Sequence, residues 1–598
     1  MILFGRESQN LPELQQLFAE AQGKKAAIQK ISLDQIIATL DAFGREWKTG
    51  GKLFNEALAG LKNDLPFSEE MVRLTLGVIP ELLSRESLEK RLSGEFENPK
   101  VLDEFILAKN GLGKVRAFPL GEMLHVTAGN VFISCIDSLV MGFLTKNISY
   151  LKLSSRNNFF PFHFARALVK FDQQQVLSDK FCVLIWKGGD QKIESAFKHH
   201  VPAIIAWGGE EMLQSYRQDL GLGTKLLDYG PKISFQLVTQ QGINKLGVVA
   251  AGVQIAQDLI MWDQQACSSP QNLFVESGVN IAELQQAIGA ALDANELPRG
   301  VLSADEQVEI IKERERARVS RLLEGGQSLE GKEWLLHYET RPYLRTSPLN
   351  RSLIMKPFKD LSDLISQVAP FRFYLQSCGY LTGVDEKASV MAALGQTGIK
   401  RLTPVGAMSS SFPGLPHDGR YGLTELVSFV TDEAATDVDA FITHLKTNVP
   451  YYQGVNYQRL EDFPLTSGAL YAQHDPAIDP VLMAKNAVGG RYFASGGTTG
   501  KPKHVFYSNA DFDRMCGDLA DNFLRSGIKP GTKVANLFAA GSLYTSFLAV
   551  DKYCEKIGLK QGTIGGLLDA SGVGKLSAHH TPEAVFGLPS LVLQSAPN

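Results

Sequence analysis

The fold of this chain is argued from one stretch, Met261-Trp-Asp-Gln-Gln-Ala-Cys267-Ser-Ser-Pro-Gln-Asn-Leu-Phe274. A single cysteine follows a polar run there and precedes an apolar run at 273–275. This pattern is typical of a nucleophile at the mouth of a strand in an α/β sheet. We therefore interpret Cys267 as a residue that accepts an acyl group as a thioester. The alternative is a buried structural cysteine.

Bulk composition limits the classes of protein to which the chain can belong. At roughly 100–200 residues per domain, its 598 residues predict three or four domains. The formal charge of −4 gives no indication of nucleic acid or an anionic membrane as a partner. No apolar run reaches the roughly 18–20 residues that span a bilayer. The start resembles no signal peptide, so we expect a cytoplasmic protein that is not integral to a membrane. The six cysteines have no CxxC or metal-like spacing, which predicts neither disulfides nor a metal site.

Short apolar runs alternate with helical stretches around Cys267, which predicts a mainly parallel α/β sheet. The predicted strands are 131–135, 148–153, 182–186, 204–207, 233–238 and 273–275. Residues 1–100 are predicted to be helical and to serve packing and oligomerisation. No GxGxxG fingerprint follows a strand, so a dinucleotide would have to bind in another way.

Asn130 ends the small-residue turn His125-Val-Thr-Ala-Gly129-Asn130. Its amide could donate to the oxygen that becomes negative in a tetrahedral intermediate. The alternative is that Gly129 and Asn130 simply form a turn. We expect His125 to order this loop rather than transfer protons.

Lys152 ends an apolar strand in the run Leu151-Lys-Leu-Ser154-Ser155-Arg156. At the carboxyl end of a parallel strand, Lys152, Ser154, Ser155 and Arg156 would suit a ribose that bears a phosphate. The alternative is a lysine that caps a strand edge.

Gly208 and Gly209 follow the run at 204–207 and precede a predicted helix at 210–220. The amides at that helix start could face a pyrophosphate.

A different motif lies near the end of the chain. Ser495-Gly496-Gly497-Thr498-Thr499-Gly500-Lys501-Pro-Lys503 combines flexible backbone with hydroxyl groups and lysines. Such a run can wrap phosphate oxygens, although it does not fit the GxxxxGK[ST] spacing of a P-loop. The alternative is a flexible linker.

Together these stretches make residues 1–430 resemble the acyl-CoA reductases of bacterial bioluminescence, the LuxC family. The other matching pieces are Tyr229-Gly-Pro-Lys232, Gln264-Gln-Ala-Cys267-Ser-Ser-Pro-Gln271, Ser347-Pro-Leu-Asn-Arg351, Leu375-Gln-Ser-Cys-Gly379 and His417-Asp-Gly419. The resemblance implies an aldehyde-dehydrogenase-like α/β fold with two parallel or mixed-sheet subdomains. That superfamily binds NAD(P) on a modified Rossmann sheet, which would explain the missing fingerprint.

The resemblance also implies roles for individual residues. Cys267 would be the nucleophile, Asn130 the oxyanion-hole amide and Lys152 the ribose-binding lysine. Where NAD-preferring dehydrogenases commonly have a glutamate, this chain has Ser155 followed by Arg156, which favours NADPH. Asp228 stands where the superfamily has its water-activating glutamate, and we expect it not to be an essential base.

Residues 440–598 resemble the amino-terminal part of an adenylate-forming, LuxE-like ligase. The family's later Tyr-Gly-x-Thr-Glu element is absent, so we expect this part not to adenylate unaided. The predicted divisions are a helical region at 1–100, an NADP-binding subdomain at 101–230, a catalytic subdomain at 231–432 and an AMP-binding domain at 440–598.

The sequence thus predicts NADPH-dependent reduction of a long-chain acyl-CoA to a fatty aldehyde through a thioester on Cys267. An acyl-protein donor, an acyl-protein synthetase as partner and a homo-oligomer are further expectations. Two other functions stay open: an acyl-adenylate or acyl-protein ligase, alone or within a combined carboxylic acid reductase, and an inactive acyl carrier.

Overall fold

The computed structural model describes residues 1–62, 64–108, 113–127, 129, 132–154, 158–433, 437–485, 489–495, 502–539, 541, 543–564 and 570–595. The chain divides into two compact units. Unit 1 contains residues 1–106 and 115–431, and unit 2 contains residues 107–114 and 432–598. Among the residues described, no helix is long and apolar enough to cross a membrane.

The strands of the chain up to residue 432 are β1 Ile2–Leu3, β2 Arg6–Glu7, β3 Ile106–Leu107, β4 Lys114–Pro119, β5 Glu122–Val126, β6 Ile148–Lys152, β7 Phe181–Leu184, β8 Ala203–Trp207, β9 Lys225–Tyr229, β10 Ile233–Val238, β11 Pro270–Glu276, β12 Gln327–Glu330, β13 Leu335–Tyr338, β14 Ser352–Phe358, β15 Leu375–Leu381, β16 Arg401–Pro404 and β17 Val427–Asp432.

The α-helices of this part are α1 Leu14–Gln29, α2 Leu33–Arg45, α3 Lys52–Leu61, α4 Glu69–Gly77, α5 Ile79–Leu82, α6 Arg85–Glu95, α7 Ser134–Leu144, α8 Phe159–Phe171, α9 Gln191–His200, α10 Glu210–Arg217, α11 Gln240–Leu246, α12 Val248–Ile260, α13 Ile281–Asp293, α14 Ala304–Leu323, α15 Leu361–Val368 and α16 Lys387–Gly395. Short 3-10 turns lie at Pro99–Leu102, Met261–Gln264, Ala369–Phe371 and Thr424–Leu426.

The first large sheet has the strand order β2-β1-β7-β6-β5-β8-β9. Strands β5 to β9 are parallel, and the β1–β2 hairpin extends the sheet because β1 pairs antiparallel with β7. The connections run in opposite directions from β5, so the sheet has a topological switch point between β5 and β8. Ligands of such sheets bind outside the carboxyl ends of the strands at this point. The mixed α/β fold predicted from the sequence is confirmed.

The predicted strand at 131–135 is wrong. The central strand is β5, nine residues earlier, and Ser134 and Cys135 belong to helix α7. Nearly every side chain of α7 is buried, so the helix lacks a polar face and its apolar run imitates a strand. The predicted helix at 210–220 is also shorter, since α10 ends at Arg217.

The second large sheet has the strand order β12-β13-β14-β11-β10-β15-β16 and is parallel except for the β12–β13 pair. Helices α12 and α13 pack closely against each other. A Cβ on Gly252 would lie 2.6 Å from the backbone carbon of Ala287, so a glycine is required at this crossing. Helix α12 ends at Ile260, and the stretch that contains Cys267 begins at the next residue, Met261.

Helices α2 to α6 form an apolar layer beside the first sheet. Helix α2 begins after Ser32, whose side chain accepts a hydrogen bond from Gln35 N, and it buries Ile36, Leu40 and Phe43. Helix α4 begins in the same way after Ser68, whose side chain accepts a hydrogen bond from Met71 N. A smaller sheet of order β17-β4-β3 is also present.

Unit 2 contains two small sheets. Strands β20 Lys533–Asn536, β21 Lys560–Thr563 and β22 Ala584–Phe586 form a parallel sheet with β20 at its centre, and β18 Gly490–Ala494 pairs antiparallel with β19 His504–Ser508. Its helices are α17 Asp437–Asn448, α18 Gly468–Gln473, α19 Asn509–Arg525, α20 Ser546–Ile557, α21 Ala570–His580 and α22 Pro589–Ser595, with 3-10 turns at Pro450–Tyr452, Leu460–Asp462 and Pro480–Leu482.

Candidate active site

Cys267 lies three residues before strand β11, at the amino-terminal edge of the second sheet. Its side chain is exposed, whereas the other five cysteines are buried. The Oγ of Ser234, in the neighbouring strand β10, donates a 2.7 Å hydrogen bond to the carbonyl oxygen of Cys267. Cys267 is therefore the one exposed cysteine residue, and its backbone is hydrogen-bonded to the sheet.

A glutamine side chain contacts the Cys267 sulfur. The Nε2 of Gln376, in β15, lies 3.3 Å from Sγ and also donates a 2.7 Å hydrogen bond to Asp418 Oδ1. Desolvation by the surrounding protein raises the pKa of the thiol, the Gln376 hydrogen bond lowers it, and the charge of Asp418 raises it. Backbone hydrogen bonds from Cys267 and Ser268 also lower this pKa. The net effect is a raised pKa, because desolvation and the charge of Asp418 outweigh the hydrogen bonds that favour the thiolate.

Two backbone segments with positive φ lie close to Cys267, one in sequence and one in space. Residues 262–264 have φ of 58°, 48° and 64°, and residues 349–351 have φ of 59°, 54° and 64°. We call these the left-handed segments. Non-glycine residues rarely adopt this region, at a cost of about 1–2 kcal/mol each in left-handed helical backbone, so both segments must be held by tertiary contacts.

The contacts that hold the left-handed segments run mainly between the segments themselves. Arg351 Nε lies 2.8 Å from Asp263 Oδ1, and both side chains are buried. Asn350 N donates to Asp263 O at 2.9 Å. Gln264 exchanges two hydrogen bonds with the backbone of Ser352, which opens strand β14. The chain that leads into Cys267 is therefore locked to β14.

A cavity of about 420 Å³ is lined by Asp418, the residue that accepts a hydrogen bond from Gln376. Its walls include Leu213, Arg217, Lys232, Phe373, Asp418 and Arg420. Lys232 Nζ lies 3.7 Å from Asp418 Oδ2, and the Asp418 carboxylate is buried. Asp228 also lines this cavity, where it pairs with Arg217 and, at 3.3 Å, with Arg420 Nη2.

Gln376 and Asp418 were assigned no role from the sequence. Both lie in stretches that resemble the LuxC family, Leu375–Gly379 and His417–Gly419, and this resemblance was the only signal that could have found them. Their contact with Cys267 depends on the placement of β15 and of the segment after β16, which local patterns do not encode.

Lys152 lies at the carboxyl end of β6, one strand from the switch point. Its ammonium group lies 5.8 Å from the Trp186 ring centre and forms no ion pair with any residue that the structure describes. Burial lowers the pKa of Lys152, and the charge of Glu194 raises it. Ser154 is half-buried just beyond β6, and Ser155 and Arg156 lie outside the described residues.

Gly208 and Gly209 lie between β8 and α10, on the other side of the switch point. Gly209 is the N-cap of α10 and provides no side-chain cap. A Cβ on Gly209 would meet nothing within 4 Å, whereas one on Gly208 would lie 2.3 Å from Met212 Cε. Space for a ligand is therefore open above Gly209.

Asn130 lies outside the described residues, so its proposed oxyanion contact stays a prediction. His125 on β5 is fully buried, and neither ring nitrogen has a hydrogen-bond partner among the residues described. Burial lowers the pKa of His125 to about 4, so the ring is neutral at pH 7.

In unit 2, Ser495 Oγ accepts a 3.0 Å hydrogen bond from Lys503 N. Residues 496–501 of this motif lie outside the described residues, so the phosphate-binding role of residues 495–503 stays a prediction.

Comparison with known proteins places the site in context. The family model described as acyl-CoA reductase (LuxC) matches residues 28–429. A long-chain acyl-protein thioester reductase of Photobacterium leiognathi is 26% identical over 433 residues, which cover 71% of this chain and 87% of that protein. A long-chain acyl-protein thioester reductase of Aliivibrio fischeri is 27% identical over 413 residues, which cover 67% of this chain and 83% of that protein.

Solved structures show a likeness in fold. The NADP-dependent glyceraldehyde-3-phosphate dehydrogenase of Bacillus halodurans superposes with a TM-score of 0.53 at 13% identity, covering 69% of this chain and 89% of that chain. A propionaldehyde dehydrogenase of Clostridium phytofermentans superposes with a TM-score of 0.52 at 11% identity, covering 71% and 97%. The aldehyde-dehydrogenase-like fold is thereby confirmed.

Proposed function

The chain belongs to the LuxC family of acyl-CoA reductases, and from that premise we propose that it reduces a long-chain acyl-CoA to the fatty aldehyde with NADPH. The main support is Cys267, the exposed thiol at the edge of the catalytic sheet, with hydrogen-bond donors directed at its sulfur. An exposed thiol with such donors is equipped for attack on a thioester carbonyl.

In the proposed reaction the Cys267 thiolate attacks the thioester carbonyl of the acyl donor. The backbone N–H of Cys267 and the amide of Asn130 would stabilise the oxyanion, at about 2.7–4 kcal/mol per donor. Collapse of the tetrahedral adduct releases the carrier thiol and leaves the acyl group on Cys267. When bound, a reduced nicotinamide supplies the hydride that brings this carbonyl to the aldehyde level. Cys267 is then released as a free thiol.

The carboxyl edge of the first sheet fits a nicotinamide dinucleotide. Lys152 offers a buried ammonium group without an ion-pair partner among the described residues, and Gly209 leaves open space at the start of an eight-residue helix. A cation at a ribose site favours a 2′-phosphate, so we infer a preference for NADPH. Arg156 would add a second cation there.

Asp228 is proposed not to activate water. Its carboxylate pairs with both Arg217 and Arg420. Because both pairs stabilise the charge of the carboxylate, it is a weak base. A slow hydrolysis would preserve the acyl group on Cys267 for reduction.

An acyl-protein is the second candidate donor. The relatives from Photobacterium and Aliivibrio are named for acyl-protein thioesters, and the donor of this chain can be of that kind. An acyl-protein synthetase would then be the partner that delivers the acyl group. The acyl-CoA and acyl-protein routes share the same thioester on Cys267.

The test is NADPH oxidation by the full chain with acyl-CoAs of graded length and with an acylated carrier protein. Cys267→Ala should abolish the activity, whereas Cys516→Ala, which removes a buried thiol in unit 2, should not. Unchanged NADPH oxidation in Cys267→Ala would overturn the proposal. Stable acyl retention on Cys267 without NADPH consumption would favour an acyl carrier instead.

A further inference from the structure

Gln376 touches the reacting sulfur with a group that has two protons to donate. Its Nε2 lies 3.3 Å from Cys267 Sγ and 2.7 Å from Asp418 Oδ1. An amide nitrogen has two N–H bonds, so one can point to each acceptor. Cys267 and Gln376 meet because each lies at the amino-terminal end of its parallel strand, β11 and β15.

Asp418 determines which way the Gln376 amide faces. The Gln376 side chain is buried, and its Oε1 has no hydrogen-bond partner among the residues described. Turning the amide over would place Oε1 against the Asp418 carboxylate, which repels it, and would remove the donor from the sulfur. Lys232 Nζ lies 3.7 Å from the other Asp418 oxygen, so the carboxylate lies between Lys232 and the Gln376 amide.

We propose that Gln376 is a catalytic hydrogen-bond donor that stabilises the Cys267 thiolate, with Asp418 and Lys232 as positioning residues that keep its amide turned toward the sulfur. The inference rests on the proposed function of Cys267 as the nucleophile. A neutral amide does not remove the thiol proton. In the balanced step the acyl thioester and the Cys267 thiol yield the Cys267 thioester and the free carrier thiol, which takes up that proton.

The charged groups around the sulfur determine the direction in which each substitution shifts the pKa of Cys267. Asp418 disfavours the thiolate, and Arg401 of β16 faces Cys267 closely enough for the two charges to interact. The Arg401 guanidinium donates to the carbonyl oxygens of Ala407, Met408 and Ser410, so it acts on the sulfur only through space. Among the residues that the structure describes, Gln376 is the side chain that donates directly to the sulfur.

The experiment measures the rate of alkylation of the intact chain by iodoacetamide as a function of pH, with the modified cysteine identified by mass spectrometry. Five of the six cysteines are buried, so Cys267 should react first. Gln376→Leu should move the midpoint of the rate profile up by about one pH unit, which corresponds to about tenfold slower alkylation below the midpoint. Asp418→Asn should move it down, because the amide can still accept from Gln376 while the repelling charge is gone.

A matched control is Gln367→Leu. Gln367 is also buried, but its amide donates to Pro357 O at 3.0 Å, and this variant should leave the profile in place. Shifts of Gln376→Leu and Asp418→Asn in the same direction, or no shift in either, would overturn the proposal. If Gln376→Leu does not fold, as judged by circular dichroism, an Asp418→Asn profile that does not move down overturns it alone. Since alkylation needs no cofactor or acyl donor, these results are independent of whether the chain reduces acyl-CoA.

Discussion

Replacing Arg351 with methionine removes one half of the buried ion pair between the left-handed segments. Asp263 would keep one hydrogen bond, from Gly300 N at 3.0 Å, and would lose the guanidinium at 2.8 Å. Methionine has nearly the length of the arginine stem, so the change leaves little empty volume. What remains is a buried carboxylate that has lost its ion-pair partner and keeps only the through-space attraction of Arg299.

The expected loss in free energy of unfolding is about 3–5 kcal/mol, the usual cost of breaking a buried pair from one side. The pH dependence follows from Asp263. Burial raises the pKa of this carboxyl, and Arg351 lowers it, so removal of Arg351 raises the folded-state value further above the unfolded one. The unfolded state then holds fewer protons than the folded state, and the variant loses stability as pH rises. Relative to wild type, the defect should be larger at pH 8 than at pH 5.

Urea unfolding followed by tryptophan fluorescence measures this loss, because all five tryptophans lie in unit 1. The double variant Asp263→Asn with Arg351→Met should recover part of the stability, since no buried charge remains. Arg351→Met should also slow iodoacetamide alkylation of Cys267 or make it heterogeneous, as residues 262–264 lose their support. A loss below about 1 kcal/mol, or a double variant no better than the single one, would refute this account of the ion pair.

Three further predictions concern other parts of unit 1. Asp228→Asn should reduce kcat for aldehyde formation less than about threefold with the fold intact, and a loss of about 100-fold or more would identify Asp228 as an essential base. Lys152→Met should raise KM for NADPH by about tenfold and KM for NADH much less, because one charge-assisted contact to a phosphate is lost; equal effects on both would contradict the 2′-phosphate assignment. Burial would raise the pKa of Glu313, but hydrogen bonds from His337 and Arg345 lower it to about 2, so its contribution to stability is present above about pH 4.5 and is lost as pH falls toward 2. Glu313→Gln should therefore flatten the acid limb of stability in urea unfolding between pH 6 and pH 3, and an acid limb as steep as that of wild type would argue against this role.

The predictable parts of the fold are those where local pattern and environment agree. Strands β6, β8 and β10 are short, fully or nearly fully buried apolar runs, and the sequence located all three. Strand β5 was missed because Glu122 and His125 interrupt its apolar pattern. Buried Glu122 contacts His200, Lys25 and Tyr150, and none of these contacts is visible in a local sequence window.

The residues of the candidate site also fall into those that local sequence indicated and those that depend on tertiary contacts. Cys267 could be proposed from its neighbours in sequence, and its position before β11 agrees with that proposal. The positive φ of residues 349–351 has no local signal, because it is held by the contacts of Arg351 and Asn350 with Asp263. Gln376 had no local signal, since its contact with Cys267 exists only when β15 lies beside β10.

The pairing of Asp263 with Arg351 spans 88 residues of chain. A nascent chain that ends before Leu349 would contain Cys267 but lack the partner that holds residues 262–264 at positive φ. Left-handed backbone costs about 1–2 kcal/mol per residue, so without these contacts residues 262–264 would relax to ordinary backbone. Cys267 would then react like a cysteine in an unfolded peptide. We therefore expect the backbone before Cys267 to reach this conformation only after β14 has been synthesised and has paired with β11.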